Sequence, residues 1–299
     1  MAVEIRPIQT NDEYRAVERL QRQAWALEDV EIVPHHLLLT VQKNGGLVLG
    51  AFESLPEEEG ERLVGFVFGF VGLLPGGKVK HCSHMAGVAP ACQNRNIGYR
   101  LKLAQRQRVL AQGIDLITWT FDPLESRNAR LNFHKLGAIC NIYLRNLYGD
   151  MRDGLNVGLP SDRFQVDWLI ASDHVASRLR DGWVGLSLSA LQADGVPILN
   201  RPLPGGHSAP RLPSGEAGSE QALLRPPETV LPLEGDRLLV QIPAHFQAVK
   251  SADLGLARAW REHSRALFEA AFAKGYTVTD LLFEHDRSCY LLQKDWRPR

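Results

Sequence analysis

The order of its predicted strands and helices constrains the fold of this chain more than any other feature of the sequence. Apolar and polar residues alternate over 3–8, as in a β-strand. Thr10 and Glu13 then form a capping box that begins an amphipathic helix. A shorter helix after Pro34 precedes a hairpin with an acidic turn at 56–60 and one further strand at 81–88. The elements predicted next are helices at 96–112 and 126–136 and strands at 114–121, 138–146 and 164–170. This order predicts an α/β unit with a mixed sheet.

The composition limits the class of partner. The 299 residues are 44% hydrophobic and carry 34 Lys plus Arg against 34 Asp plus Glu, so the formal net charge is zero. A neutral chain lacks the attraction that drives nonspecific binding of nucleic acid or of an anionic membrane, and we expect neither partner. The longest apolar run, 63–74, is far shorter than the roughly 20 residues that cross a bilayer.

The cysteines indicate neither a metal site nor disulfide bonds. Four are present, and none stands in a C-x-x-C pair. Reduced thiols are typical of the cytoplasm, and the N-terminal residues lack the basic and apolar segments of a signal peptide. We therefore expect a cytoplasmic protein without a bound metal.

Proline content divides the later part of the chain. The stretch 197–232 holds eight of the 17 prolines, which predicts an exposed loop or tether without regular structure. A strand at 237–242, a helix at 253–274 and a hairpin within 276–293 follow it. The predicted domains are 1–172, a Pro/Gly-rich connecting region at 173–235 and a smaller C-terminal α/β subdomain at 236–299.

The sharpest local motif is Val88-Ala-Pro-Ala-Cys-Gln-Asn-Arg-Asn-Ile-Gly-Tyr99, between a predicted strand and a predicted helix. The unpaired N–H groups and the positive dipole end of a helix N-terminus can hold a pyrophosphate. The spacing Gln93-x-x-Asn96-x-Gly98 resembles the Q/R-x-x-G-x-G/A acyl-CoA-binding signature of the GNAT superfamily, the Gcn5-related N-acyltransferases. Asn96 replaces the first glycine, but Asn tolerates the left-handed conformation. A Rossmann loop is excluded because this motif follows the fourth strand and not the first.

A second segment, 126–137, is similar to the later GNAT motif, in which an Asn opens a helix beside the pantetheine arm and the helix ends in Y-x-K-x-G-F. Here Asn128 holds the first position and Phe133 replaces the tyrosine. The predicted element order is also that of the family. The resemblance covers 1–172 and implies a splayed sheet with helices on both faces. The pattern of the whole chain, and of the segment 119–128 in particular, looks like that of a little-characterised bacterial and archaeal GNAT group.

The resemblance implies that the pantetheine arm lies between strands 81–88 and 114–121 and binds main-chain groups of the former like an added strand. The implied acyl-CoA-binding residues are Ala86, Gly87, Val88, Gln93, Asn94, Arg95, Asn96, Ile97, Gly98, Tyr99 and Asn128. Arg95, Arg100 or Lys102 could reach the outer phosphate. The alternative for Lys102 and Arg106 is a solvated helix face.

Acyl transfer to an amine needs a base for the amine and a proton for the leaving thiolate. Because Phe133 has no hydroxyl, the family's usual general acid is missing, and Tyr143, Cys140 or His134 could replace it. For the base, we expect His84 in the fourth strand or Asp122 after the fifth, with His81 and Ser83 as other candidates. Strand alternation puts His84 and Ala86 on one face, and Ser83 and Met85 on the other. The preferred catalytic residues are His84, Asp122 and Tyr143, although a structural histidine and a turn-capping aspartate are alternatives.

The resemblance implies a CoA-dependent N-acyltransferase that moves an acetyl or succinyl group to the amine of a small molecule or amino acid. The alternative is a catalytically impaired acyl-CoA-binding or regulatory protein, since Phe133 and Asn96 depart from the motifs. The C-terminal subdomain echoes the second half of a GNAT fold without its Gln-x-x-x-x-Gly loop, so no second CoA site is expected. Such a half-domain must cover its sheet on the first domain or on another subunit, which leaves a homodimer open.

Overall fold

The first eleven strands and α-helices follow the predicted order. In this computed structural model, residues 2–25, 27–54, 60–151, 157–208 and 222–298 are described. The elements are β1 (Val3–Pro7), α1 (Asn11–Trp25), α2 (His35–Lys43), β2 (Leu47–Ser54), β3 (Glu61–Leu73), β4 (Val79–Val88), α3 (Ile97–Ala111), β5 (Leu116–Phe121), α4 (Ser126–Ala129), β6 (Ile139–Leu144) and β7 (Arg163–Leu169). Short 3-10 turns precede α2 and α3, and α4 continues as a π-helical segment, Arg130–Lys135. The predicted mixed α/β class is confirmed.

The later elements include two strands in the proline-rich stretch. They are α5 (Asp173–Arg178), α6 (Leu188–Ala193), β8 (Leu203–Ser208), β9 (Ala222–Arg225), β10 (Arg237–Ile242), α7 (Phe246–Ala252), α8 (Leu254–Ala273), β11 (Tyr276–Glu284) and β12 (Arg287–Lys294). The expectation of no regular structure at 197–232 is wrong for β8 and β9, which pair antiparallel. Buried Ile198 also bridges to Leu239 of β10. Residues 209–221 and most of the predicted acidic turn, 55–59, lie outside the described residues.

The contacts within the chain define two units. Unit 1 comprises Met1–Trp119, Arg152–Leu155 and Trp168–Ala171, and unit 2 comprises Thr120–Met151, Asn156–Asp167 and Ser172–Arg299. The chain thus passes from one unit to the other inside β5. This division differs from the predicted boundaries at 172 and 235, because the residues that follow Trp119 contact the C-terminal elements.

Unit 1 is a sheet in the order β1-β2-β3-β4-β5 with helices on both faces. The predicted capping box begins α1, since Glu13 N–H donates to Thr10 Oγ1 at 3.3 Å and Thr10 N–H donates to Glu13 Oε2 at 3.1 Å. On one face, α1 and α2 bury a cluster that includes Phe66 and Phe68 of β3. On the other face, Gly65 admits α3, because a Cβ there would lie 3.0 Å from Ile97.

Unit 2 has its strands in the order β7-β6-β11-β12-β10. Its core is aromatic: Phe164 contacts Phe268 of α8 at a centroid distance of 4.8 Å, and Phe133 contacts Tyr290 at 5.7 Å. Phe133 is fully buried, as the predicted helical stripe requires. A tyrosine hydroxyl in its place would need a buried partner, so the phenylalanine fits an apolar packing role.

Candidate functional site

The parallel strands β4 and β5 of unit 1 part after two residue pairs. They pair only through His81↔Ile117 and Cys82↔Thr118 among their described residues. On its other edge, β4 pairs with β3 as far as Val88. Over residues 83–88, the backbone groups on the edge of β4 that faces away from β3 therefore do not pair with β5. An extended ligand could bind to such an edge like an added strand. The predicted binding residues Ala86, Gly87 and Val88 lie on this segment.

A β-bulge at His84 changes which way the side chains of β4 point. Phe68 pairs with Met85 and Gly69 with Ser83, so His84 is the extra residue. Met85 packs on the α1 and α2 cluster, whereas Ser83 hydrogen-bonds to α3 on the opposite face. The expectation that Ser83 and Met85 share a face is wrong because simple alternation does not continue through a bulge.

The loop from β4 to α3 has the geometry predicted for it. Asn94 and Asn96 adopt left-handed conformations, with φ of 65° and 56°, so Asn96 occupies the glycine position as expected. The first helical hydrogen bond runs from Arg100 N–H to Asn96 O at 3.0 Å. The N–H groups of Ile97 and Gly98 precede this bond and face out of the helix end. Residues 93–96 are exposed, and buried Ile97 anchors the loop.

The cations beside this loop are bound to protein groups. Arg95 Nη2 donates to Glu53 Oε1 at 2.6 Å, and Arg62 Nη2 donates to Glu53 Oε2 at 2.8 Å. These two guanidinium groups lower the pKa of Glu53. Arg100 donates to the carbonyl oxygen of Val3 at 2.6 Å. A phosphate at this loop would therefore be held mainly by backbone N–H groups, because Arg95 and Arg100 already bond to protein oxygen atoms.

Lys102 is buried, and both expectations for it are wrong. Its Nζ donates to Ser83 Oγ at 3.0 Å and to Gln105 Oε1 at 2.7 Å, and lies 3.9 Å from the centroid of Trp119. These partners draw it toward the sheet, so it neither reaches a phosphate at the loop nor lies in solvent. Burial lowers the pKa of Lys102 to about 7.

His81 belongs to the same buried cluster. Its Nε2 lies 3.1 Å from Gln105 Nε2, and its Nδ1 has no hydrogen-bond partner among the residues that the structure describes. Gly69 makes room for the ring, since a Cβ there would lie 2.3 Å from His81 Nε2. Burial, followed by the charge of Lys102, lowers the pKa of His81 to about 4. His81 and Ser83 are thus structural, and sequence patterns alone did not reveal the cluster.

His84 is the one candidate base of β4 that is exposed. Its ring lies against Phe68 and Phe70 at centroid distances of 5.7 and 6.0 Å. These two rings shield part of the imidazole from water and lower the pKa of His84, so the neutral form dominates at pH 7. Three residues further along β4, Trp25 covers Gly87, where a Cβ would lie 2.7 Å from the indole. Sequence reasoning did not identify Trp25 as a wall of this segment.

The other predicted site residues lie in unit 2 and have protein partners. Asp122 is bound by both terminal nitrogens of Arg261, and its Oδ1 also accepts the Leu124 N–H at 2.8 Å. Tyr143 donates its hydroxyl to Asp162 at 2.7 Å, and burial raises its pKa. These contacts occupy the reactive groups of both residues.

The remaining candidates of unit 2 differ in their exposure. Asn128 is exposed on α4. The buried Cys140 thiol donates to Ile142 O at 3.3 Å, and burial raises its pKa. His134 is half-buried, with Nδ1 3.0 Å from Asp280 Oδ1. Of the alternatives to the missing tyrosine, His134 and Tyr143 are half-buried and Cys140 is buried.

The described residues include no candidate for a membrane span or a metal site. Among the described helices, none combines the length and the apolarity that crossing a bilayer requires. Within the described part of the chain, no group of three or more His, Cys, Asp or Glu is placed to hold a metal ion.

Known proteins resemble this chain in structure and not in sequence. Neither a scan against protein-family models nor a search of curated proteins found a match. A chain of the NatC complex bound to Gag peptide and CoA is 11% identical with a TM-score of 0.46, over 56% of this chain and 99% of its own. Arabidopsis thaliana NAA60 in complex with acetyl-CoA is 15% identical with a TM-score of 0.45, over 56% and 99%. The ribosomal-protein-S18-alanine N-acetyltransferase from Escherichia coli is 13% identical with a TM-score of 0.42, over 56% and 94%.

At these identities and scores, the matches carry no argument about activity. The resemblance of the chain to the GNAT fold rests on the element order from β1 to β7 and on the parting of β4 from β5.

Proposed function

We propose that the chain is an acyl-CoA-dependent N-acyltransferase. The observation that carries this proposal is the unpaired edge of β4 leading directly into the left-handed loop and the N-terminus of α3. An extended amide chain with a diphosphate at one end fits this arrangement. Its amides can pair with a strand edge, and its diphosphate can accept from helix N–H groups.

In the proposed complex, the pantetheine arm of acyl-CoA lies along Ala86, Gly87 and Val88. The N–H groups of the loop from Asn94 to Asn96, and of Ile97, Gly98 and Tyr99 in the first helical turn, hold the diphosphate. Arg95 contributes charge from its ion pair with Glu53.

The proposed acceptor is the amine of a small molecule or amino acid, and the acyl group is acetyl or succinyl. His84 is the proposed base, because its exposed ring is neutral at pH 7 and can take the proton of the attacking amine. A thiol with an ordinary pKa near 8.5 is a fair leaving group without a dedicated acid. The four free cysteines fit a reducing, cytoplasmic compartment.

Gly98→Asp tests the diphosphate site. Gly98 is the second residue of α3, and a Cβ there meets nothing closer than Val88 at 3.9 Å. An aspartate in the first turn stabilises a helix but repels a bound phosphate. We expect the variant to keep its melting temperature and to lose at least tenfold in CoA affinity by calorimetry. Gly98→Ala is the control and should bind within a few-fold of the wild type; equal binding by all three proteins contradicts the site.

The pH profile tests His84. Because the pKa of His84 is below its usual 6.5, the acidic limb of kcat/KM, calculated on the concentration of the unprotonated amine, should have its midpoint below pH 6.5. His84→Gln should lower kcat by roughly 10²- to 10⁴-fold and remove this acidic limb. Thiol release from acetyl-CoA and succinyl-CoA with a panel of amines provides the measurement. An unchanged rate in His84→Gln excludes it as the base.

A second candidate function is acyl-CoA binding without turnover. It is favoured by Phe133, whose buried ring removes the usual general acid. The two functions differ in the thiol-release assay: CoA binding with no release on any amine indicates the second. No CoA binding at all contradicts both.

A further inference from the structure

Unit 2 contains a cavity that the proposed acyl-CoA site does not use. Its volume is about 160 Å³, which suits a single small molecule and is below the roughly 300–1,000 Å³ of sites for drug-sized ligands. Leu186, Leu188 and Leu282 give it an apolar wall. Three ionisable side chains, Arg130, His134 and Glu284, line the same cavity.

His134 is held in a defined orientation. Its Nδ1 lies 3.0 Å from Asp280 Oδ1, and Asp280 Oδ2 accepts from Arg178 at 2.9 Å. The ring also contacts Trp183 at a centroid distance of 5.2 Å. A carboxylate can only accept, so Nδ1 carries the proton of neutral His134 and Nε2 carries the lone pair. Nε2 has no partner among the described residues and is not enclosed, which makes it available to a ligand.

Opposite charges border the same cavity. Arg130 is exposed and forms no ion pair with a described carboxylate; its guanidinium lies 5.7 Å from the centroid of Phe283. Glu284 accepts the Ser189 N–H at 2.9 Å, and this hydrogen bond lowers its pKa. The cavity thus presents a guanidinium group, a carboxylate and an imidazole nitrogen beside an apolar wall.

We propose that this cavity binds a zwitterionic amino acid. Arg130 pairs with the ligand carboxylate, as a guanidinium does in bidentate recognition. Glu284 and His134 Nε2 accept hydrogen bonds from the ammonium group, and the side chain of the ligand lies on the leucines. A simple anion is disfavoured by Glu284, and a simple cation is disfavoured by Arg130. This site does not depend on the acyl-CoA proposal and stands or falls separately from it.

The test uses the full chain with glycine, L-leucine and L-phenylalanine as probes at pH 7.5. We expect saturable binding of at least one probe by calorimetry, together with a shift of the His134 ring nitrogen signals in NMR. The matched analogues of leucine are 4-methylpentanoate, which lacks the amine, and 3-methylbutylamine, which lacks the carboxylate. Each analogue should bind at least tenfold more weakly than leucine.

Variants identify the site. Arg130→Gln and His134→Gln should each lower the affinity of the best probe about tenfold or more. Arg127→Gln, an exposed arginine on α4 that does not line the cavity, is the control and should have no effect. Saturable binding that is lost only in the cavity variants supports the proposal. No saturation with any probe, equal binding of the analogues, or binding unaffected in both cavity variants overturns it.

Discussion

Replacing Arg261 with methionine is expected to lower the free energy of unfolding by about 3–5 kcal/mol. The Arg261 side chain is 2% exposed and that of Asp122 is 11% exposed, and two hydrogen bonds join them. Removing the guanidinium leaves the Asp122 carboxylate with the Leu124 N–H as its remaining bonded partner among these contacts. Leaving an ionised group unpaired in a poorly hydrated site costs far more free energy than an exposed ion pair contributes to stability.

Two comparisons make this prediction specific. Arg145 also pairs with a carboxylate, that of Glu269, but 64% of the Arg145 side chain is exposed. Arg145→Met should therefore lower the free energy of unfolding by less than about 1 kcal/mol. The double variant Asp122→Asn/Arg261→Met removes both charges and should recover most of the loss, because the asparagine can still accept the Leu124 N–H. Urea denaturation measures all three. Equal costs for Arg261→Met and Arg145→Met would refute the buried pair.

A separate experiment with the single variant Asp122→Asn distinguishes two roles of Asp122. If Asp122 acted as a base through water, Asp122→Asn would reduce turnover far more than it reduces the folded fraction. The bidentate contact with Arg261 predicts instead that activity follows the folded fraction. Measuring thiol release at a temperature where the variant is fully folded distinguishes the two results.

Local sequence signals predicted the elements correctly where a short segment determines its own conformation. The capping box at Thr10, the left-handed Asn96 and the buried stripe through Phe133 each depend on neighbours within a few residues. Such signals also located the loop between β4 and α3, because adjacent residues determine where a helix begins and where the chain turns tightly.

Side-chain partners from distant segments were not predictable in this way. Asp122 follows a strand and looks like a turn cap, yet its partner Arg261 is 139 residues later in the chain. A lysine in a helix is predicted to lie on the surface. Lys102 is buried because Ser83, 19 residues earlier in the chain, accepts a hydrogen bond from its ammonium group. The bulge at His84 depends on the register with β3, which no pattern within β4 contains.

Lys102→Met is expected to raise the free energy of unfolding at pH 7 by roughly 1–4 kcal/mol. Lys102 is 5% exposed, and its ammonium has hydroxyl, amide and aromatic partners but no carboxylate among the described residues. Its pKa is about 7 in the folded chain against an ordinary value of 10.5, because burial disfavours the charged form. Methionine fills the same volume without a charge to dehydrate.

The dependence of this gain on pH identifies its cause. Between pH 7 and 10.5 the unfolded chain keeps a proton on Lys102 that the folded chain has lost, so wild-type stability rises with pH, by up to about 1.4 kcal/mol per unit. Below pH 7 both states are charged and the penalty no longer changes. Lys102→Met should therefore lose its advantage by pH 10, where the neutral amine still bonds to Ser83 and Gln105. Urea denaturation at pH 7 and pH 10, with the exposed Lys43→Met as control, measures this; a gain that is equal at both pH values excludes dehydration of the ammonium as its origin.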